Sequence, residues 1–505
     1  MISLLAQQTV QPIRTPPIDW FSIAPEIALF SAAILIVLVR SLVRRSPRVF
    51  DAALYIAAAG IVTSAVFTFV QWHFVDRDGP YQAIAGMVAV DGFAVFVRTV
   101  VLISLTLALL ISVGYLRREQ LEAPEYIALM VLSATGMMVM ASANDLIAIF
   151  LALEILSIAL YVLSAFDKRR LTSQEAGLKY FLLGAFSSAV FLYGVALVYG
   201  ATGTTSLTGI AKFLAGNAVL DNGVLFVGFA LLLVGLGFKI AAAPFHMWTP
   251  DVYQGAPTPV TAFMAGATKA AAFGAILRVF VGTFDLYRDD WRPAVFGLAV
   301  ISMAVGTIAA VVQTDVKRML AYSSIAHAGY VLIGVQAATR KGTSAALFYL
   351  LVYALMIIGA FAVVSVVARR GDERHSLDDY RGMARREPVL AGLLTLFLLA
   401  QAGVPLTGGF VAKLGVFSAA VDAGQYALAL VGMLTAVISA FVYLRIVLAM
   451  YAPDAEAPAE DEAPLRVDAA TGVALFLASV AVVVLGIVPG FALDFARDAT
   501  LLLAR

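Results

Sequence analysis

The chain repeatedly presents apolar stretches about as long as a bilayer is thick, and this restricts its fold more than anything else in the sequence. A helix needs about 20 apolar residues to cross hydrocarbon. Stretches of that kind fall at about 19–39, 51–72, 90–114, 124–141, 145–166, 177–200 and 222–243. They continue at 259–282, 294–313, 319–337, 343–367, 390–421, 425–450 and 469–489. The expectation is an all-α polytopic membrane protein of about fourteen transmembrane helices. Composition agrees: 13% of the 505 residues are charged, against about 25% in a soluble domain.

Two stretches do not read as plain spans. Leu233–Val260, LVGLGFKIAAAPFHMWTPDVYQGAPTPV, carries Lys239 and then Pro244, Pro250, Pro257 and Pro259. Proline removes a backbone donor and clashes one turn back, so the helix must bend or stop. The twelfth stretch is interrupted in the same way at Gly403–Phe410, GVPLTGGF, with Lys413 just beyond. Broken backbone at membrane depth survives only inside protein or against a wet cavity. Two corresponding interrupted helices point to an ion path through a transporter-like fold.

An internal repeat fits this reading. DLIAIFLALEILSIALYVLSA starts at Asp145 and DVKRMLAYSSIAHAGYVLIGV starts 170 residues later at Asp315. Lys239 and Lys413 stand 174 apart. Spans 4–8 (124–282) and 9–13 (294–450) become two five-helix units, and an odd number per unit makes them inverted. Residues 1–123 hold the first three helices, 451–468 an acidic linker, and 469–505 the last helix.

Basic residues set the expected orientation. Arg40, Arg44, Arg45, Arg48, Arg117, Arg118, Lys168–Arg170, Lys317, Arg318, six arginines between 369 and 386, and Arg466 fall in one set of loops. Arg14, Arg77, Lys212, Arg288, Arg292, Arg340, Lys341, Arg497 and Arg505 fall in the other. The richer side is read as cytoplasmic, with both termini outside. The acidic run 452–468 reads as a solvated linker. The start of the chain lacks the layout of a cleaved signal peptide, so the first helix is expected to be retained.

Several function classes are excluded. With no cysteine, disulfides, iron–sulfur clusters and thiolate metal sites have no ligands in this chain. His73, His246, His327 and His375 show no metal-binding spacing, and no phosphate-binding loop or dinucleotide fingerprint occurs. A net charge of +1 gives no electrostatic support for nucleic-acid binding.

What remains are charges inside apolar helices, which are expensive and functional by default. Glu154 lies nine residues into the fifth stretch, and a lysine on a neighbouring helix, Lys239, is its natural partner. A Glu–Lys pair whose separation changes acts as a proton switch, because a nearby carboxylate holds the proton on a buried amine. Lys269 sits among small residues in TAFMAGATKAAAFGAIL, and Lys413 follows the second break. Lys179 opens the sixth stretch, where it either takes part or snorkels to the headgroups. His327, with Tyr322, Ser323 and Ser324, is either a polar relay between the halves or a satisfied core histidine. Lys317 and Arg318 read as holding their helix at the cytoplasmic face, and Asp145 as a helix cap.

GFKIAAAPFHMWTPDVYQGAPTPV, KRMLAYSSIAHAGY and GVPLTGGFVAK resemble the seventh, tenth and twelfth helices of the antiporter-like membrane subunits of respiratory complex I. The resemblance spans roughly residues 20–490. It implies fourteen helices, inverted repeats and a proton path through Glu154, Lys239, Lys269 and Lys413. It implies a proton-translocating part of NADH:quinone oxidoreductase in the bacterial plasma membrane. NADH, FMN, iron–sulfur clusters and quinone would belong to other subunits. Sister subunit M usually has glutamate in place of Lys413, and L usually has histidine in place of Lys269, so lysine at both positions fits the third sister. The implied partners are the antiporter-like M and L subunits and small subunits such as K and J. A cation/proton antiporter subunit shares the fold and stands as the alternative; a membrane spacer with no conducting path would not need four buried charges.

Overall fold

The computed structural model describes residues 17–43, 48–217, 222–453, 465–499 and 501. Arg14, Arg44, Arg45, Arg505, most of the acidic run (454–464) and the first sixteen residues lie outside the described residues.

In chain order, α1 is Ala24–Leu42 and α2 is Arg48–Asp78; strands β1 (Tyr81–Ala83) and β2 (Val88–Val90) follow. Next come α3 (Gly92–Glu119), α4 (Pro124–Ser142), α5 (Leu146–Ser164) and α6 (Leu171–Thr202). A short amphipathic α7 (Leu207–Gly216) precedes α8 (Gly223–Lys239) and α9 (Thr249–Gly255). The span Thr258–Thr283 contains α10 (Thr258–Phe263) and α11 (Lys269–Ile276), joined and followed by π-helical turns at 264–268 and 277–283. The second half has α12 (Arg288–Val311), α13 (Val316–Gln336), α14 (Arg340–Val367) and the short α15 (Met383–Arg386). It ends with α16 (Pro388–Ala402), α17 (Gly408–Asp422), α18 (Tyr426–Tyr451), α19 (Ala469–Ile487) and α20 (Gly490–Asp498).

Among the described residues, eleven helices are long and apolar enough to cross a membrane. The chain is a multi-pass, all-α membrane protein apart from one hairpin, in which Tyr81 pairs with Val90 and Ala83 with Val88. The hairpin, α7 and α20 were not foreseen, because short polar-ended elements give no hydropathy signal. Helix starts are set by side-chain caps: Asp91, Asp145, Asp315, Thr339 and Asp468 each accept a backbone N–H from the first turn, as N-caps do. The expected capping role of Asp145 is present.

α14 is the axis of the bundle. It is buried along its length and touches α3, α10, α13, α16, α17, α19 and α20. With neighbours on every side, it has no need of a polar stripe, and its sequence is apolar all round.

Both breaks are present, with different chemistry from that expected of the prolines. α8 ends at Lys239, five residues before Pro244, while Pro250 and Pro259 sit in the first turns of α9 and α10. Proline tolerates that position because its missing N–H is not needed there, so these residues start helices rather than bend one. The exposed backbone is satisfied locally: the Ala243 N–H donates to Ser302 Oγ at 2.8 Å, and Trp248 Nε1 donates to the Phe238 carbonyl at 3.0 Å. The second break is tighter. Gly403 takes φ +90° and Leu406 φ +69° between α16 and α17. The left-handed Gly403 also leaves room for the Lys413 stem, since a Cβ there would lie 2.9 Å from Lys413 Cδ.

Two isolated bridges sit at matching places in the two halves. Asp145 pairs with Ser206, and Asp315 with Ser376, each partner 170 residues from its counterpart. In each, the residue after the aspartate donates its N–H across the bridge: Leu146 to Thr205 at 2.9 Å and Val316 to His375 at 2.7 Å.

The close approach at the second break yields a test. A Cβ on Gly409 would lie 1.8 Å from the Ala400 carbonyl oxygen, whereas one on Gly392 meets nothing within 4 Å. Gly409→Ala should force α16 and α17 apart and lower the thermal midpoint of the purified protein. Gly392→Ala, in the interior of α16, should leave it unchanged or raise it, given the gain of up to about 1 kcal/mol from replacing a helical glycine. Equal midpoints for the two variants would contradict this packing.

Candidate functional site

The buried charges separate into two kinds. The first kind is paired. Arg98 on α3 lies 2.5 Å from Glu26 on α1 and donates to Gln71 on α2 at 2.6 Å. Arg278 meets Asp91 through two bonds of 2.8 and 3.0 Å and also donates to the Ala141 carbonyl. Asp372, in the loop after α14, is fully buried among Arg170 (3.1 Å), His375 (3.2 Å), Lys317 (3.4 Å) and the Thr258 hydroxyl (2.7 Å). These groups were not picked out from the sequence, and Lys317 was read there as a surface anchor. It is instead fully enclosed and ion-paired, because the loop folds back over the start of α13. A signal was present for Arg98 in GFAVFVRTVV, an apolar run with one charge. Nothing in the sequence links Asp372 to Lys317.

The second kind consists of lysines that, among the described residues, form no direct ion pair with a carboxylate. Lys239, at the last turn of α8, points its ammonium over the rings of Tyr180 (5.0 Å), Tyr161 (5.3 Å) and Phe238 (5.8 Å). Among the described residues, its hydrogen bond is to Tyr180 Oη at 3.5 Å. Rings can hold a cation electrostatically when it is desolvated. Among the described residues no ion pair joins Lys239 to Glu154. Glu154 lies at the edge of an exposed apolar face of α5, next to Leu151, Ile155 and Ile158, and its buried Oε1 has no partner. The sequence placed the two together as a pair; here they form no direct ion pair, although the charge of Glu154 still bears on Lys239.

Lys269 opens α11 directly after the first π-turn and donates to the Ser324 carbonyl and, at 2.5 Å, to Ser324 Oγ. The ring of Tyr353 lies 5.5 Å from its Nζ. Lys413 donates to the Ala402 carbonyl at 2.9 Å, capping the open end of α16, and sits 4.9 Å from the Tyr330 ring. Lys239 and Lys413 thus do not occupy equivalent places: one ends the helix before its break, the other lies beyond its break.

Neutral polar groups fill the space between Lys269 and Lys413. Ser323, next to Ser324, meets Tyr443 Oη at 2.5 Å, which meets His327 Nε2 at 3.0 Å. His327 Nδ1 meets Tyr349 Oη at 2.8 Å. The His327 ring lies 4.8 Å from Tyr353 and 5.7 Å from Tyr330, and Tyr330 Oη reaches Ser439 and Thr435 at 3.4 Å. Tyr349, Tyr353, Tyr443 and Tyr330 were missed, since a tyrosine in an apolar helix reads as core. Tyr322 is only half-buried.

Lys179 does not join this line. It is 41% exposed and ion-paired with Glu175 at 2.6 Å and Asp251 at 2.7 Å, and Asp251 also holds Arg318 at 2.8 Å. Lys179, Glu175 and Asp251 border a polar cavity of about 570 Å³ between α6, α9 and the Asp372 loop. Among the described residues no group of three or more His, Asp or Glu is placed to hold a metal.

A membrane bundle with two interrupted helices and a line of buried, uncompensated lysines defines an antiporter-like membrane subunit. Residues 143–439 match the family model for NADH:quinone oxidoreductase/Mrp antiporter transmembrane proteins. NADH-quinone oxidoreductase subunit N of Trichlorobacter lovleyi is 42% identical over 95% of this chain and 97% of its own. That of Rhodococcus opacus is 43% identical over 98% of each. A chain of respiratory complex I from Thermus thermophilus is 35% identical and superposes with a TM-score of 0.78 over 94% of this chain and all of that one. A chain of the Mrp complex from a Dietzia species, 23% identical over 95% of this chain and 96% of that one, shares the fold with a TM-score of 0.82. The chain belongs to the NADH-quinone oxidoreductase subunit N family of membrane-arm, proton-pumping subunits. Redox catalysis is not carried by this subunit.

The Asp372 cluster gives a test outside the membrane-spanning segments. Burial alone would raise the Asp372 carboxyl, but Lys317, His375 and Arg170 hold it well below its ordinary value near 3.8. A depressed carboxylate stabilises the fold fully above that ordinary value and loses its contribution only as pH falls through the depressed one. The cluster is therefore a fixed latch at neutral pH. Asp372→Asn strands Lys317 and Arg170 and should cost about 3–5 kcal/mol, seen as loss of assembled complex on native gels at pH 7. Unchanged assembly and thermal stability would contradict the latch.

Proposed function

We propose that the uncompensated charges form the proton path of this subunit. Glu154 and Lys239 act at one end, Lys269 in the middle, and Lys413 at the other end. Ser324, Ser323, Tyr443, His327 and Tyr349 carry protons between Lys269 and Lys413. The observation behind this is the contrast between the two kinds of charge. Arg98, Arg278 and Lys317 are held in ion pairs by carboxylates, while among the described residues the direct contacts of Lys239, Lys269 and Lys413 are hydroxyls, carbonyls and rings. A buried charge without a counter-charge is too costly to keep for structure alone, but a group that takes up and releases a proton bears that cost only in part of its cycle.

In this reading, approach of Glu154 to Lys239 stabilises the protonated amine, and their separation releases the proton toward Lys269. Lys179 is assigned to the polar mouth beside Asp251 rather than to the path. Energy reaches the subunit from neighbours of the antiporter-like M and L types and from small subunits such as K and J. NADH, FMN, iron–sulfur clusters and quinone are handled elsewhere in the assembly. The matching bridges at Asp145 and Asp315 support two inverted units, 124–282 and 294–450, within fourteen spans. The basic loops support a plasma-membrane orientation with both termini outside.

Lys239→Ala and Glu154→Ala should leave assembly intact and reduce NADH-driven proton pumping in membrane vesicles. A drop of about tenfold would correspond to about 1.4 kcal/mol on the limiting step. Normal proton stoichiometry in both variants would sink the assignment. Tyr443→Phe removes the bridge between Ser323 and His327 and should slow pumping without loss of complex; full activity would take the helix-13 polar line out of the path.

A further inference from the structure

The structure has a second pocket, with no lysine in its walls and different in chemistry. An apolar trough of about 900 Å³ runs between α2 and α3 on one side and α14, α19 and α20 on the other. Phe69, Ile103, Leu355, Val480 and Phe491 are among its walls. Hydroxyls do not break its character: Thr68, Thr99 and Thr106 each donate to the carbonyl one turn back in their own helix, at 2.8 Å. At one end Trp72 forms part of its wall and also of a smaller polar cavity of about 200 Å³. That cavity is bordered by Asp76 from the end of α2, Arg340 from the start of α14 and Asp498 from the end of α20.

We infer that this composite pocket binds a phospholipid whose headgroup carries both a phosphate and a primary ammonium, as phosphatidylethanolamine does. Three observations converge on that ligand. First, the trough lies among helices of a membrane bundle, and a space of that size cannot remain empty without forfeiting the contacts of its walls. Acyl chains match its apolar lining. A spanning helix, about 10–12 Å across and about 30 Å long, would lie over the trough rather than within it.

Second, the polar end offers both signs of charge. Arg340 can grip a phosphate through its planar fork; its recorded contact is a 3.3 Å bond to the Arg497 carbonyl. Among the described residues neither Asp76 nor Asp498 is in an ion pair, so both carboxylates can accept from an ammonium. Third, two carboxylates against one guanidinium leave the end net negative, which disfavours an anionic headgroup. A quaternary ammonium has no N–H to donate, which disfavours a choline headgroup. Trp72 stands at the junction of the two chambers, where an amphipathic ring belongs at a membrane interface.

The test is photo-crosslinking of the purified, assembled complex. It is reconstituted into vesicles of equal parts phosphatidylethanolamine, phosphatidylcholine and phosphatidylglycerol, with each lipid in turn carrying a diazirine on its acyl chain. Labelled peptides are then identified by mass spectrometry. The expected result is several-fold more label from phosphatidylethanolamine than from the other two on residues 61–72 and 477–495. The excess should vanish in an Asp76→Asn/Asp498→Asn variant that still assembles and pumps. Should that variant fail to assemble, the single Asp498→Asn variant serves the same purpose and should reduce the preference. Equal labelling by all three lipids would reduce the trough to unselective lipid contact and overturn the proposal. Absence of label there, with a neighbouring subunit crosslinked instead, would overturn it too.

Discussion

Everything in this molecule follows from the cost of leaving a charge or a backbone polar group without a partner at membrane depth. Long helices meet that constraint by bonding their own backbone. The two broken helices cannot, so side chains complete them: Ser302 and Trp248 at the first break, Lys413 at the second. Lys413 thereby does two things at once. Its ammonium satisfies the open carbonyl of Ala402, and its position places a titratable group where α16 and α17 meet.

The same constraint divides the buried charges. Where a guanidinium or ammonium is structural, the fold supplies a carboxylate from another helix or loop, as Glu26 does for Arg98 and Asp372 for Lys317. Where the proposed path runs, its lysines directly contact only neutral dipoles and rings. The halves also differ in a telling way. Counting 170 residues on from Glu154 reaches Ser324, so the position held by a carboxylate in the first proposed unit holds, in the second, the hydroxyl that receives Lys269. Duplicated scaffolding thus carries different charge in the two proposed units.

Much of this was readable beforehand, for physical reasons. Bilayer thickness imposes a length on apolar runs, so the long helices and both interruptions stood out, and charges such as Glu154, Lys269 and Lys413 were conspicuous against apolar surroundings. Boundaries were less legible: α2 and α6 extend well past their apolar cores, since Arg48–Asp78 ends, and Leu171–Thr202 begins, in a polar turn. Partnerships were hardly legible at all. Asp372 sits in a loop that reads as basic and solvated, yet it closes over Lys317 from 55 residues away. His327 announced itself as a polar residue in an apolar helix, but its tyrosine partners on α14 and α18 did not, because a tyrosine looks the same in sequence whether its hydroxyl is idle or bridging.

The most direct measurement is the proton-to-electron stoichiometry of assembled complex carrying Lys269→Met, which keeps the length and apolar stem of the side chain while removing the charge between the two halves. The account predicts that complex forms normally and that pumping through this subunit is lost, lowering the stoichiometry or stalling NADH oxidation with it. Wild-type stoichiometry at wild-type turnover would mean that no proton needs Lys269, and the buried line from Ser324 to Lys413 would then be structural.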